Sequence, residues 1–131
     1  RFLTDMDAWA AAHQAAGRSV LFAGDLNVAR TDLDIHPKER KLNQVGARED
    51  ERALIERLLS RGLVDVGRTL HPADDALFTW WAPWRNLKQR NIGWRIDYIV
   101  ASGPLASGAV TCVVQREFGT SDHGPVVAIF A

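Results

Sequence analysis

Three short segments of this chain are apolar at successive positions rather than at every other one: Leu21-Phe22-Ala23, Tyr98-Ile99-Val100 and Val126 to Phe130. A strand has a two-residue side-chain period, so an unbroken apolar run needs cover on both faces of its sheet. Residues 4–16 read as an amphipathic helix that can cover one face. Met6, Trp9, Ala10 and His13 recur at helical spacing, Thr4 is placed to cap it with Asp7 three residues on, and Gly17 to end it. Residues 49–60 read as a second helix, with Glu49, Asp50 and Glu51 at its positive N-terminal end. Its Leu54, Ile55, Leu58 and Leu59 form one face and Gly62 stops it. Nothing announces cover for the other face of the sheet. Either the two helices divide between the faces, or a second layer lies outside this sequence.

Strands are expected at 19–23, 77–82, 95–101, 109–115 and 125–131, and a long loop at 28–48. The order helix, strand, helix and then several strands implies α/β or α+β. A length of 131 residues suits one domain, and 47% hydrophobic with 24% charged residues supports a core and excludes disorder. A lone Cys112 excludes an internal disulfide, reads as an inert core thiol, and suits a reducing compartment, so the cytoplasm is the expected location. No apolar run approaches the roughly 18–20 residues of a membrane helix, and no membrane partner is expected. The first residues, interrupted by Asp5 and Asp7, do not read as a secretory signal.

The charges cancel overall, 16 basic against 16 acidic, but they are unevenly spread. Residues 36–48 hold Lys38, Arg40, Lys41 and Arg48 against Glu39; residues 84–95 hold Arg85, Lys88, Arg90 and Arg95 with no acid. Two basic loops on an otherwise acidic body read either as a polyanion footprint or as solvated surface. Trp80, Trp81, Trp84 and Trp94 flank the second loop, where indoles can meet nucleotides while cations meet phosphates; a single Trp in a strand is more often core.

Chemistry is concentrated in three places. Gly24-Asp25-Leu26-Asn27 follows an apolar strand, at the kind of strand end where ligands collect. Its carboxylate can orient or deprotonate a water and its carboxamide can donate to an oxyanion; alone, the same residues also make an ordinary turn. Ser121-Asp122-His123-Gly124 supplies an imidazole, which becomes useful once a carboxylate fixes its tautomer. Asp97, inside the apolar stretch 94–100, needs a partner to offset desolvation, and both Arg95 and His123 qualify. No His/Cys cluster has zinc spacing, and neither a Gly-rich phosphate loop nor a Gly-x-Ser-x-Gly elbow occurs.

Taken in order, GDLNVA (24–29), TWW (79–81), NIGWRIDY (91–98) and SDHGPV (121–126) resemble the exodeoxyribonuclease III and abasic-site endonuclease family, within the wider endonuclease/exonuclease/phosphatase superfamily. The SDH segment is shared widely across that superfamily, whereas NIGWRIDY behind TWW is specific to the abasic-site branch. The resemblance implies a DNase I-like α/β fold, a four-layer sandwich of two packed β-sheets flanked by helices, of which residues 1–131 would be the C-terminal half. It implies a Mg²⁺-dependent phosphodiesterase, with Mn²⁺ as a substitute, acting on double-stranded DNA at abasic sites or 3′ ends. Asp25 would orient or deprotonate the attacking water, Asn27 would hydrogen-bond the scissile phosphate, His123 held by Asp97 would stabilise its charge, and Asp122 would lie at the metal. Trp80, Trp94 and Ile96 would line the pocket for an extruded abasic sugar, Trp84 would enter a DNA groove, and Asn43 would meet the backbone; Arg85, Lys88 and Arg90 are the DNA-binding candidates of the basic loop itself. Trp80 replaces a more usual Phe, and Arg40 a more usual Asn. The family's upstream half, with a metal-binding Glu and a catalytic Tyr, has no counterpart in this sequence and would be the partner that completes the site. A phosphatase or lipid phosphodiesterase of the same fold, and a DNA-binding fragment without catalysis, are the competing readings.

Overall fold

The computed structural model describes residues 1–131. Helix α1 (Phe2–Ala15) buries Leu3, Asp7 and Ala10, three and four residues apart, and leaves Trp9 exposed. It starts earlier than Thr4, which lies inside it and caps nothing. Asp7, expected to close that cap, is instead drawn to helix α2 (Glu49–Leu59), where it accepts from Arg57 Nε at 3.0 Å and also from Arg61. Ile55 and Leu58 are the buried face of α2.

Strand β1 (Leu21–Asp25) pairs antiparallel with β3 (Asp97–Ser102), and β2 (Leu63–Asp65) pairs antiparallel with the other edge of β3. A separate antiparallel pair is formed by β4 (Ala109–Val114) and β5 (Val126–Phe130). The two-residue period of β3 sorts its side chains. Tyr98 and Val100 pack with Leu3, Ala10, Ile55 and Leu58 of the helices, while Ile99 and Ala101 pack with Cys112, Val126, Ala128 and Phe130. Both helices therefore sit on one face, and the β4–β5 pair supplies cover for the other. The molecule is α/β, with two sheets and flanking helices. The second sheet does not reach across β1, where Leu21 is 42% exposed, and its own outer face is bare, with Val113 at 45% and Ile129 at 56%. No helix is long and apolar enough to cross a membrane.

Residues 77–82 are not a strand. Trp80 makes single bridges to Trp94 on one side and His123 on the other, but the N–H groups of Thr79 and Trp80 converge on one acceptor, the Trp94 carbonyl, at 2.8 and 2.9 Å, and Pro83 follows. A ladder cannot continue through a shared acceptor. Three short elements have no clear signal in the sequence: β2, the helix α3 (Val66–Leu70) that follows it directly, and α4 (Gly103–Ala106). The loop after β1 contains single 3₁₀ turns at Asp32–Asp34 and Pro37–Glu39.

Candidate active site

The register of the first sheet places Asp25, the last residue of β1, opposite Asp97, the first of β3. Directly opposed residues of antiparallel strands point to the same face, so two carboxylates meet at one sheet end. His123 reaches them through the short ribbon in which residues 79–81 lie between Trp94 and the 121–124 turn. Its Nδ1 lies 2.8 Å from Asp97 Oδ2, and its Nε2 lies 4.0 Å from Asp25 Oδ2. An Nδ1–H donated to Asp97 leaves Nε2 as the ring's working nitrogen, directed toward Asp25.

Arg95, the other partner open to Asp97, is committed elsewhere. It is buried and donates to Asp34 at 2.7 and 3.2 Å and to Asp65 at 2.8 and 2.7 Å. Asp97 is left to the imidazole. Burial pushes the Asp25 carboxyl above its ordinary value; the Asn27 N–H, donated to Asp25 Oδ1 at 2.7 Å, works against this, and the charge of Asp97 adds to it. That hydrogen bond closes a tight turn with Asn27 in the left-handed region at φ 56°, which Asn tolerates better than most residues. The Asn27 carboxamide is exposed and makes no hydrogen bond within the chain.

Asp25, Asp97 and His123 together form a group that can hold a metal ion, their ligand atoms within 4.8 Å of one another. Each carboxylate has one oxygen engaged, to Asn27 or to His123, and one left over. Two free carboxylate oxygens suit a hard divalent cation that keeps several waters. Asp122 is outside this trio: its Oδ2 accepts from the Trp80 indole N–H at 3.1 Å, a bond Phe could not make.

Trp80, Trp94 and Ile96 fall into one cluster with Ala29 and Ile35, the two indoles edge-to-face at 6.4 Å. Trp94 and Ile96 are each 7% exposed, so little more than an edge of either faces solvent. Gly93 is required here by close approach, since a Cβ would lie 2.3 Å from the Trp80 carbonyl oxygen. Trp81 is core, 1% exposed, and Cys112 is a buried thiol whose pKa burial raises. Trp84 stands out from the surface at 61%, with Arg85 and Arg90 exposed in the same loop. Asn43 lines a separate hollow of about 530 Å³ with Arg40, Lys41, Arg48 and Arg52. The largest hollow, about 840 Å³ and lined in part by His71, Phe78 and Phe118, contains none of the expected residues.

Sequence reasoning missed Thr79. Its buried hydroxyl accepts the N–H groups of Ile96 and Asp97 at 3.0 and 3.1 Å, and its carbonyl accepts that of Gly124 at 2.8 Å, tying both halves of the Asp97–His123 pair to one residue. Its place at the head of the TWW segment (79–81) was the available signal, but it gave Thr79 no role of its own.

Two sheets with helices on the outer side of one, and an acidic–imidazole cluster at the strand ends, define an α/β fold with a metal-capable site. The sequence pattern of the Endonuclease/Exonuclease/phosphatase family matches residues 1–123, and the chain belongs to that family. It is 35% identical over 112 residues to an exodeoxyribonuclease of Bacillus subtilis (strain 168), covering 86% of this chain and 44% of that protein. It is 33% identical over 117 residues to the DNA repair nuclease APEX1 of Danio rerio, covering 88% of this chain and 37% of that protein. The structure of an AP endonuclease from Archaeoglobus fulgidus superimposes with a TM-score of 0.87 at 31% identity, over 98% of this chain and 52% of that one. The chain thus spans about half the length, or less, of the relatives it matches.

Proposed function

We propose that this chain carries the catalytic carboxylates and histidine of a DNA-repair phosphodiesterase that hydrolyses the backbone at abasic sites or 3′ ends. The observation that carries the reading is the Asp25–His123–Asp97 group, with Nδ1 of the imidazole anchored at 2.8 Å and Nε2 presented toward Asp25. In-line attack on a phosphodiester needs a positioned water and stabilisation of spreading negative charge. Asp25, its pKa raised, is suited to orient the water and take its proton. The free carboxamide of Asn27 and His123, carrying a proton on Nε2 as well as on Nδ1, donate to the phosphoryl oxygens. Asp97 orients the ring by accepting from Nδ1. Asp25 and Asp97 would hold Mg²⁺ or Mn²⁺, which supplies positive charge to the phosphate when bound, while Asp122, next to His123 in sequence, stays on the Trp80 indole outside that pair. Trp80, Trp94 and Ile96 wall the space for a sugar without a base, which costs less to extrude than an intact nucleotide. Trp84, Arg85, Arg90 and Asn43 face the duplex.

The chain further reads as one half of a larger domain whose other half packs on the bare faces of β1 and β4–β5 and completes the site. The decisive assay is Mg²⁺-dependent incision of a duplex with one abasic site, with EDTA and His123→Ala controls. No cleavage by the 131-residue chain, and cleavage once the remaining half is supplied, is expected. Metal-dependent cleavage by the chain alone would overturn the half-domain reading, and silence with both halves present would overturn the catalytic one.

A further inference from the structure

Besides the His123–Asp97 pair, the 121–124 turn, which carries Asp122 and His123, is held from outside by four hydrogen bonds. Three come from the ribbon beside it: the Thr79 carbonyl accepts from Gly124 N–H at 2.8 Å, Trp81 N–H donates to the Asp122 carbonyl at 3.1 Å, and the Trp80 indole donates to the Asp122 carboxylate at 3.1 Å. The fourth has a different origin. Lys88 Nζ donates to the carbonyl of Ser121 at 2.9 Å, the only hydrogen bond between the basic 84–91 loop and the turn.

The loop is shaped to deliver that lysine. Arg85 and Asn86 are consecutive left-handed residues, φ 52° and 53°, a conformation Asn tolerates but one uncommon for Arg. Asn91 closes the loop, accepting from the Trp81 indole at 3.0 Å and donating to the Ala76 carbonyl at 3.1 Å. The Lys88 ammonium lies 5.7 Å from the centroid of the Trp81 ring, whose residue is buried and therefore a fixed platform. A lysine stacked on a core indole and bonded to a carbonyl is arranged differently from the exposed Arg85 and Arg90 beside it.

The geometry points to Lys88 as a positioning residue, a clamp that ties the DNA-facing loop to the turn carrying Asp122 and His123. A duplex that displaces the loop thereby moves the turn. The ribbon contacts fix the turn from the interior; Lys88 alone fixes its entrance from a segment the substrate can reach. The assignment rests on the DNA-hydrolysis reading and replaces the expectation that Lys88 meets phosphate.

Lys88→Met keeps the length and apolar stem over Trp81 and removes the donor; Lys88→Arg restores a donor. In the DNA-free chain, amide hydrogen exchange read by NMR should be about tenfold faster at His123 and Gly124 in Lys88→Met, near the original rate in Lys88→Arg, and unchanged at Val100 in β3. Equal exchange at the turn in both variants and the unmodified chain would overturn the clamp. In binding of the completed enzyme to an abasic duplex, the salt dependence should be the same with and without Lys88→Met. A slope smaller by about one would place Lys88 on phosphate and overturn the assignment. Failure of the chain completed by its other half to bind duplex would remove the DNA reading and the coupling with it, while the exchange comparison would still decide the clamp.

Discussion

Replacing Arg95 by Met removes the cation at the centre of a buried charge cluster and leaves two carboxylates behind. The Arg95 side chain is 3% exposed, against 1% for Asp34 and 2% for Asp65. Methionine preserves the length and the apolar stem, so the loss is electrostatic rather than a cavity. Removing one partner of a buried ion pair costs roughly 3–5 kcal/mol, chiefly because the other charge is stranded. Here the stranding is incomplete: Asp34 keeps Arg68, and Asp65 keeps Arg30 at 3.4 Å and the Arg68 backbone N–H at 3.3 Å. The expected destabilisation of Arg95→Met is therefore at the low end, about 3 kcal/mol near neutral pH, measured by urea unfolding with tryptophan fluorescence. Its pH dependence has a definite sign. Burial alone would raise the Asp34 pKa, but hydrogen bonds and charge from Arg95, then Arg68, outweigh it and hold the group below its ordinary 3.8. A carboxyl with a lowered native pKa contributes stability above its unfolded value, and that contribution is lost as pH falls through the native one. The unmodified chain should lose stability below about pH 4 on this account, and Arg95→Met should lose less, so the gap between them narrows on acidification. A difference under about 1 kcal/mol near neutral pH, or a gap independent of pH, would refute the reasoning.

Asp25→Asn in the completed enzyme should lower turnover by roughly 10²–10⁴-fold while leaving duplex affinity within a few-fold; near-normal turnover would remove Asp25 from the chemistry. Because burial, with the neighbouring Asp97, raises the Asp25 pKa in the metal-free chain, its carboxyl should titrate above 3.8 by NMR when Mg²⁺ is absent, and titration at or below that value would contradict the described environment. Arg90→Ala should weaken binding uniformly across DNA sequences and reduce the salt slope by about one, and an unchanged slope would return that loop to solvated surface.

Periodicity made the longer elements legible and chemistry made the cluster legible, for separable reasons. The α2 face of Ile55 and Leu58 and the double burial of Tyr98 to Val100 are local consequences of side-chain spacing, and both appear where the sequence places them. The choice between Arg95 and His123 as the partner of Asp97 was not local. It depends on Asp34 and Asp65, some 61 and 30 residues upstream, which occupy the guanidinium. Thr4 and Asp7 carry a sound capping signal that loses to a tertiary ion pair. Residues 77–82 have strand composition, but their hydrogen bonds go to a ribbon whose other members arrive from 94 and 123. In the last two cases a sound local preference lost to a distant charge or acceptor, and in the first distant carboxylates settled a choice that the local sequence left open.

The same distinction bears on the two carboxylates of the site. Asp97 opens a strand whose next five residues are all buried, with helices on one face and the second sheet on the other. Its backbone N–H is also fixed by Thr79. Asp25 ends an edge strand in which Leu21, Ala23 and Gly24 are exposed, and which has β3 on one side and nothing on the other. Catalysis requires both oxygens within a fraction of an ångström of their places. The chain fixes Asp97 by its own packing, but it holds Asp25 from one side only. On the half-domain reading, whatever covers the bare face of β1 therefore does more than bury Leu21. It sets the position of Asp25 against His123, so completing the fold and completing the active site are a single event.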